Sequence, residues 1–276
     1  MKFSKTLGAA ALAFGLTTAF GAARAADLKI GIVMPMSGPF AAHGKQIQHG
    51  IDLYLAEHGD TVAGRKVKIL IKDDTGIAPA VAKRQAQELL IKDKVDILAG
   101  FTLTPNAFSV APLATEAKVP MVVLNAATSS ITEKSPNIVR VSMTRPQDTA
   151  PMAQWAYKNG IRSVYTLVSD YGPGHDAEQQ FQKTFTSLGG KIVGEVRTPV
   201  NTPDYAPFLQ RVKDAQPDAV FFFVPNGEQG VALAKGYKER GLDQAGIKAL
   251  ATGDVTDEDV LDAMGDAAIG MITSFH

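Results

Sequence analysis

Val164–Phe185 reads VYTLVSDYGPGHDAEQQFQKTF. A β-branched and aromatic run leads into a glycine turn, and apolar residues at helical spacing follow it. A strand that turns straight into an amphipathic helix is the repeating half of a βαβ crossover, which implies a parallel sheet. Gly172, Gly174 and Ala177 also match G-x-G-x-x-A, the spacing that cradles a dinucleotide pyrophosphate, and Glu195 lies about twenty residues on, as that pattern asks. Against that ligand, Asp176 falls in the first helical turn, where it repels a phosphate, and Pro173 stiffens the turn. The better reading is that the glycines turn the chain sharply at the strand end.

The same alternation extends outward in both directions. Toward the N-terminus, Leu28–Met34, Lys66–Asp73, Val95–Gly100 and Pro120–Asn125 are short strand-like runs ending in turn residues, with helical stretches between them. The helix over AAHGKQIQHGIDLYLAEHG carries Ile47, Ile51, Tyr54 and Leu55 on one face. After NIVRVSMTRPQDT the pattern restarts and runs to DEDVLDAMGD. The run Phe221–Val224 reads as a central strand buried on both faces. The expectation is an α/β protein of two parallel-sheet lobes with helices on both faces, joined near Val139–Arg145. The apolar AAIGMITSFH stops at His276 without a closing helix, so the chain is expected to be truncated at its C-terminus.

Residues 1–25 differ from the rest. Lys2 and Lys5 precede a short apolar stretch, and Ala23-Arg24-Ala25 supplies an A-x-A cleavage site, so this segment reads as a secretory signal peptide. The chain has 276 residues and formal charge +0; without the segment, 28 acids remain against 25 bases, a net −3. That balance, with no basic run, argues against nucleic acid as a partner. Zero cysteines exclude both disulfides and a thiol-linked lipid anchor. A soluble periplasmic protein is the expectation.

Ligands of open α/β sheets bind beyond the carboxyl ends of the strands. The loops there are Pro35–Gly44, Gly100–Ala107, Asn125–Ser130, SDYGPG, VPNGEQ and TGDVTDED. Thr104 and Thr128 place hydroxyls and backbone N–H groups ahead of helices, which suits a carboxylate or plain helix capping; spacing alone leaves both open. Signatures of hydrolases, P-loop proteins and zinc peptidases are missing, and the five histidines are scattered. No enzyme activity, metal or cofactor is expected, and an exported dinucleotide-dependent enzyme explains only the glycine turn.

DLKIGIVMPMSGPFAAHG, KVKILIKDDTG, DKVDILAG, KVPMVVLNAATSS, SDYGPGHDAEQQF, DYAPFLQRVKDAQPDAVFF and TGDVTDEDVLDAMGDAAIGM occur in that order across residues 27–276. In them the chain resembles the branched-chain-amino-acid type of periplasmic solute-binding proteins. The resemblance implies a type I periplasmic binding fold: two doubly wound parallel-sheet lobes around a cleft, over residues 26–143 and 144–272, hinged near Arg140–Pro146. It sets residues 273–276 at the start of the return crossover to the first lobe, and it implies a monomeric receptor. Such a receptor captures a small carboxylate, an amino acid or an aromatic or keto acid, and presents it to an ABC import permease. A sensor's ligand-binding module would look the same. The resemblance puts a carboxylate on the Thr104 hydroxyl and on donors at Ala126, Ala127 and Thr128. It sets Phe40, His43 and Ser37 in the first loop beside the ligand, with Phe101 and Tyr171 flanking a ring. Amino-acid-binding members have a tyrosine where this chain has Pro225 and a glutamate where it has Gly253 or Asp254. An altered ammonium half beside a kept carboxylate half points to an acid without an amine, unless Asp254 compensates.

Overall fold

A computed structural model describes residues 26–275 apart from 203 and 226; the signal-peptide reading of residues 1–25 lies outside the described residues. Eleven strands among them form two sheets. The first holds β1 (Leu28–Met34), β2 (Thr61–Val62), β3 (Arg65–Asp73), β4 (Ile97–Gly100), β5 (Met121–Val123) and β6 (Ile138–Arg140), in the order β2-β3-β1-β4-β5-β6. Every pairing is parallel except the β2–β3 hairpin. The second holds β7 (Ser163–Ser169), β8 (Lys191–Thr198), β9 (Ala219–Phe223), β10 (Lys248–Thr252) and β11 (Ile272–Ser274), all parallel, in the order β11-β10-β9-β7-β8. The boundary expected at residue 272 falls at the first residue of β11, and Thr273 and Ser274 pair with Ala251 and Thr252 of β10.

Helices α1 (Ala41–His58), α2 (Pro79–Glu88) and α3 (Thr104–Ala117) accompany the first sheet. One face packs Val33, Leu98, Met121 and Val123 beneath α2 and α3. The other places Ile32, Met34 and Ala99 against Ile47 and Ile51 of α1. That second covering is thin. Leu28, Ile30, Ile69 and Leu124 line an open apolar hollow of about 520 Å³ beside α1, and Tyr54, expected on the buried face, is 60% exposed and stacks on His58.

The second sheet is covered on both faces. Helices α4 (Arg145–Lys158) and α5 (Gly172–Ser187) lie on one side, and α6 (Ala206–Ala215), α7 (Glu228–Glu239) and α8 (Glu258–Met264) on the other. Phe221 stacks on Phe181 of α5 with centroids 4.3 Å apart, while Phe222 meets Tyr237 of α7 edge-on, so the central strand is buried from both sides. Among the described residues no helix is long and apolar enough to cross a membrane.

Candidate functional site

In both sheets the chain leaves the carboxyl ends of the strands toward the same cleft. The tightest turn follows β4. Gly100 takes φ +105°, and a Cβ there would stand 2.1 Å from the Val33 carbonyl oxygen, so no side chain fits. Phe101 follows at φ +56°, a left-handed conformation unusual for a bulky residue. Its N–H donates to Val33 O at 2.8 Å, its ring is fully buried, and the chain emerges at Thr102–Thr104 to begin α3. Asn106 then anchors this helix. Its amide nitrogen donates to buried Asp74 at 2.8 Å and to the Gly76 carbonyl at 2.7 Å. Burial raises the Asp74 carboxyl above its ordinary pKa, and the bonds from Asn106 and the Gly76 N–H oppose that rise.

Thr104 and Thr128 cap nothing through their side chains. Leu103 precedes α3 as its N-cap residue, and the two buried hydroxyls bond each other at 3.0 Å instead. Arg140 of β6 holds the loop beneath them, donating to the Thr128 carbonyl at 2.8 Å. The capping alternative is thereby removed, and the pair is a small polar platform at the base of the cleft.

Across the cleft, α4 begins with Arg145, behind a capping box made by Thr144 and Gln147. The Arg145 side chain is 4% exposed. It donates to Asp148 at 2.8 Å and, through both terminal nitrogens, to Asp254 in the turn after β10. Its Cζ stands 5.2 Å from the centre of the Phe223 ring, a cation–π distance. Burial works against its charge, but Asp254 and Asp148 outweigh that, and its pKa lies above the ordinary value. Burial pushes Asp148 up to about 6 despite Arg145, and the nearby Asp254 adds to the rise. Arg145 Nε has no hydrogen-bond partner among the described residues. Burial also raises the Tyr171 hydroxyl pKa and lowers that of His43, which faces Asp254, Asp257 and Asp259.

Phe40, His43, Thr104, Ala126, Ala127, Tyr171, Pro225 and Asp254 line one narrow hollow between the sheets, of about 40 Å³. Thr102, Leu103, Asn125, Arg145, Pro173, Phe223 and Val224 complete it. Three expected positions do not line it. Ser37 turns outward and donates to Asp73 at 2.6 Å. Phe101 is folded under the floor by its left-handed backbone, and the Thr128 hydroxyl is held behind Thr104. Asp254 is not a free acid awaiting an amine, because Arg145 already pairs with it. Arg145 and Phe223 were not expected. Phe223 replaces Phe101 as a ring at the cavity and stacks with Tyr171, centroids 6.1 Å apart.

A family model described as periplasmic binding protein matches residues 27–276. The Leu/Ile/Val-binding protein homolog 6 of Brucella melitensis is 45% identical over 258 residues, covering 94% of this chain and 66% of that protein, so the chain spans just under two thirds of the relative's length. An ABC-transporter solute-binding protein from R. palustris, solved in complex with 4-hydroxybenzoate, is 49% identical with a TM-score of 0.87, covering 90% of this chain and 67% of its own. Another, from Rhodopseudomonas palustris BisB5 with 3,4-dihydroxybenzoic acid, is 53% identical with a TM-score of 0.83, covering 89% and 67%.

Proposed function

The chain belongs to the periplasmic binding protein family, and from that premise we propose that it is an extracytoplasmic receptor for an aromatic carboxylate of the hydroxybenzoate class, delivered to an ABC import permease. The observation that carries this reading is the pairing of Asp254 with Arg145 beside an aromatic wall. An α-ammonium needs a free carboxylate partner, and among the described residues the acid lining this hollow, Asp254, is already paired with Arg145. A flat ring needs apolar faces, which Phe40 offers from one lobe and Tyr171 and Phe223 from the other.

The carboxylate then lies at the Thr104 end, where the Thr104 hydroxyl, the backbone of Ala126 and Ala127 and the positive end of α3 favour an anion. A ring hydroxyl points to Arg145 and Asp254, which offer a donor and an acceptor. The ligand touches both lobes, so it has higher affinity for the closed arrangement and draws the hinge shut; binding involves no chemical step. The contacts from Gln46 to Asp259 at 2.5 Å and from the Ser129 N–H to Asp176 at 2.6 Å are the contacts such closure makes.

Isothermal titration of the purified chain against 4-hydroxybenzoate, 3,4-dihydroxybenzoate, benzoate, leucine and valine tests the proposal. The hydroxybenzoates are expected to bind at micromolar Kd or tighter, about −8 kcal/mol. Binding of leucine or valine in preference to every aromatic acid would overturn it.

A further inference from the structure

The two glycines of the G-x-G turn have different neighbours. A Cβ on Gly174 would stand 1.9 Å from the Ser169 carbonyl oxygen within its own lobe, so that glycine serves the local turn. For a Cβ on Gly172 the nearest obstacles lie in the other lobe. It would stand 2.6 Å from Thr128 Oγ1, 3.2 Å from Thr128 Cγ2 and 3.3 Å from Thr104 Cγ2, all across the cleft. Gly172 does not use a left-handed φ, so its backbone tolerates any residue. What requires glycine here is space, and only when the lobes are together.

One turn further along α5, Asp176 accepts the Ser129 N–H at 2.6 Å, again from the opposite lobe. Its charge also acts on Arg140, whose pKa burial lowers and Asp176 raises. Arg140 in turn holds the Thr128 and Ser129 carbonyls at 2.8 and 3.4 Å. The start of α5 therefore meets one short segment of the first lobe twice, by close packing at Gly172 and by a charge-assisted hydrogen bond at Asp176.

We propose that Gly172 and Asp176 form the closure latch of the cleft: the bare backbone at 172 seats on the Thr104–Thr128 pair, and the Asp176 carboxylate clasps the Ser129 N–H. The proposal rests on the two-lobe receptor reading and assigns the position that limits how far the lobes approach. The latch also couples to the ligand site, because the platform under Gly172 is the hydroxyl pair whose Thr104 lines the hollow.

The chain has no cysteine, so Lys45→Cys in α1 and Lys235→Cys in α7, both exposed, accept spin labels without background. Distance distributions are measured with and without 4-hydroxybenzoate for the labelled chain and for Gly172→Ala, Thr128→Ala, Gly172→Ala/Thr128→Ala and Asp176→Ala. Far-UV circular dichroism verifies folding. Gly172→Ala is expected to lower the ratio of closed to open molecules on the order of tenfold or more, as overpacking a tight contact does. Removing Thr128 Oγ1 and Cγ2 deletes the nearest obstacles, so the double variant is expected to close as Thr128→Ala does. Asp176→Ala is expected to reduce closure less than Gly172→Ala. A Gly172→Ala chain that closes like its parent overturns the latch, as does a double variant that stays open where Thr128→Ala closes. A parent chain that never shows a short-distance population also overturns it. A parent chain that closes but ignores 4-hydroxybenzoate removes the ligand assignment and leaves the latch standing.

Discussion

Arg145→Met is the perturbation that most directly tests the buried charge cluster. The guanidinium is 4% exposed, holds Asp148, itself 3% exposed, at 2.8 Å, and bonds Asp254 with two nitrogens. Methionine conserves the apolar stem and removes the charge. Breaking a buried ion pair from one side costs about 3–5 kcal/mol, because the remaining charge is left without a partner. Two features place this case at the lower end. Asp148, already pushed up to about 6, escapes the penalty by taking a proton, and the Asp254 side chain keeps 19% of its exposure to water. A loss of about 3 kcal/mol at neutral pH lowers Tm by about 6–12 °C for a domain of this size.

The assay is thermal unfolding followed by circular dichroism at pH 7.5 and pH 5, with Arg145→Met/Asp148→Asn alongside. At pH 5 Asp148 is largely protonated in both proteins, so the deficit is expected to shrink. The double variant, with no buried charge at 148, is expected to recover part of the loss at pH 7.5. A single variant within about 1 kcal/mol of the parent at both pH values would refute the reasoning, because it would mean that solvent screens the cluster.

Asp148→Asn isolates the titration itself. The folded pKa is raised above the unfolded value, so the native state binds the extra proton and the parent loses stability relative to the variant as pH rises from about 4 to about 6, at up to about 1.4 kcal/mol per unit; parallel melting curves across that window would contradict it. His43 has the opposite sign, because burial depresses its pKa and the unfolded chain takes up the proton first. The parent is therefore expected to lose stability relative to His43→Gln as pH falls below about 6.5, and a difference in denaturant midpoint that does not change with pH would count against this. Thr104→Val removes a hydroxyl while keeping its volume, and should weaken 4-hydroxybenzoate by about 1–3 kcal/mol in titration calorimetry; an unchanged Kd would move the carboxylate elsewhere.

The alternation of short apolar runs with helical faces made the two sheets readable, since each run ends in residues that cannot continue a strand. Reading off the strand ends gave the loops, and the family resemblance then picked out within them Phe40, His43, Thr104, Ala126, Ala127, Tyr171, Pro225 and Asp254, which line one hollow. The residues that escaped did so for physical reasons. Arg145 lies in the crossing segment between sheets, and its partner Asp254 is 109 positions away, beyond any local pattern. Phe223 ends a strand whose other residues are core, so periodicity assigns it to the core as well; only its place at the carboxyl end brings it to the cleft. Phe101 failed in the other direction. Its left-handed φ inverts where the ring goes, and composition gives no sign of that in a residue other than glycine. The polar cue at Ser37 was genuine, but Asp73 uses it.

A cleft that expels water when it closes cannot leave a charge without a partner, since a buried ion without one costs several kcal/mol. Here the partners are internal: Arg145 pairs with Asp148 and Asp254, Asp176 accepts the Ser129 N–H, and Thr104 bonds Thr128. Such a site discriminates by what it has already satisfied. An amine could claim Asp254 only by drawing it from Arg145, at a cost comparable to breaking the pair. A ring hydroxyl asks for one donor or acceptor and leaves the pair intact, and the Arg145 Nε has no hydrogen-bond partner among the described residues. A carboxylate at the other end asks the Thr104 hydroxyl to turn from Thr128 to the ligand, exchanging one neutral hydrogen bond for a charge-assisted one. The selectivity proposed for this chain therefore follows from its existing pairs, and the aromatic walls at Tyr171 and Phe223 decide which acids are flat enough to use it.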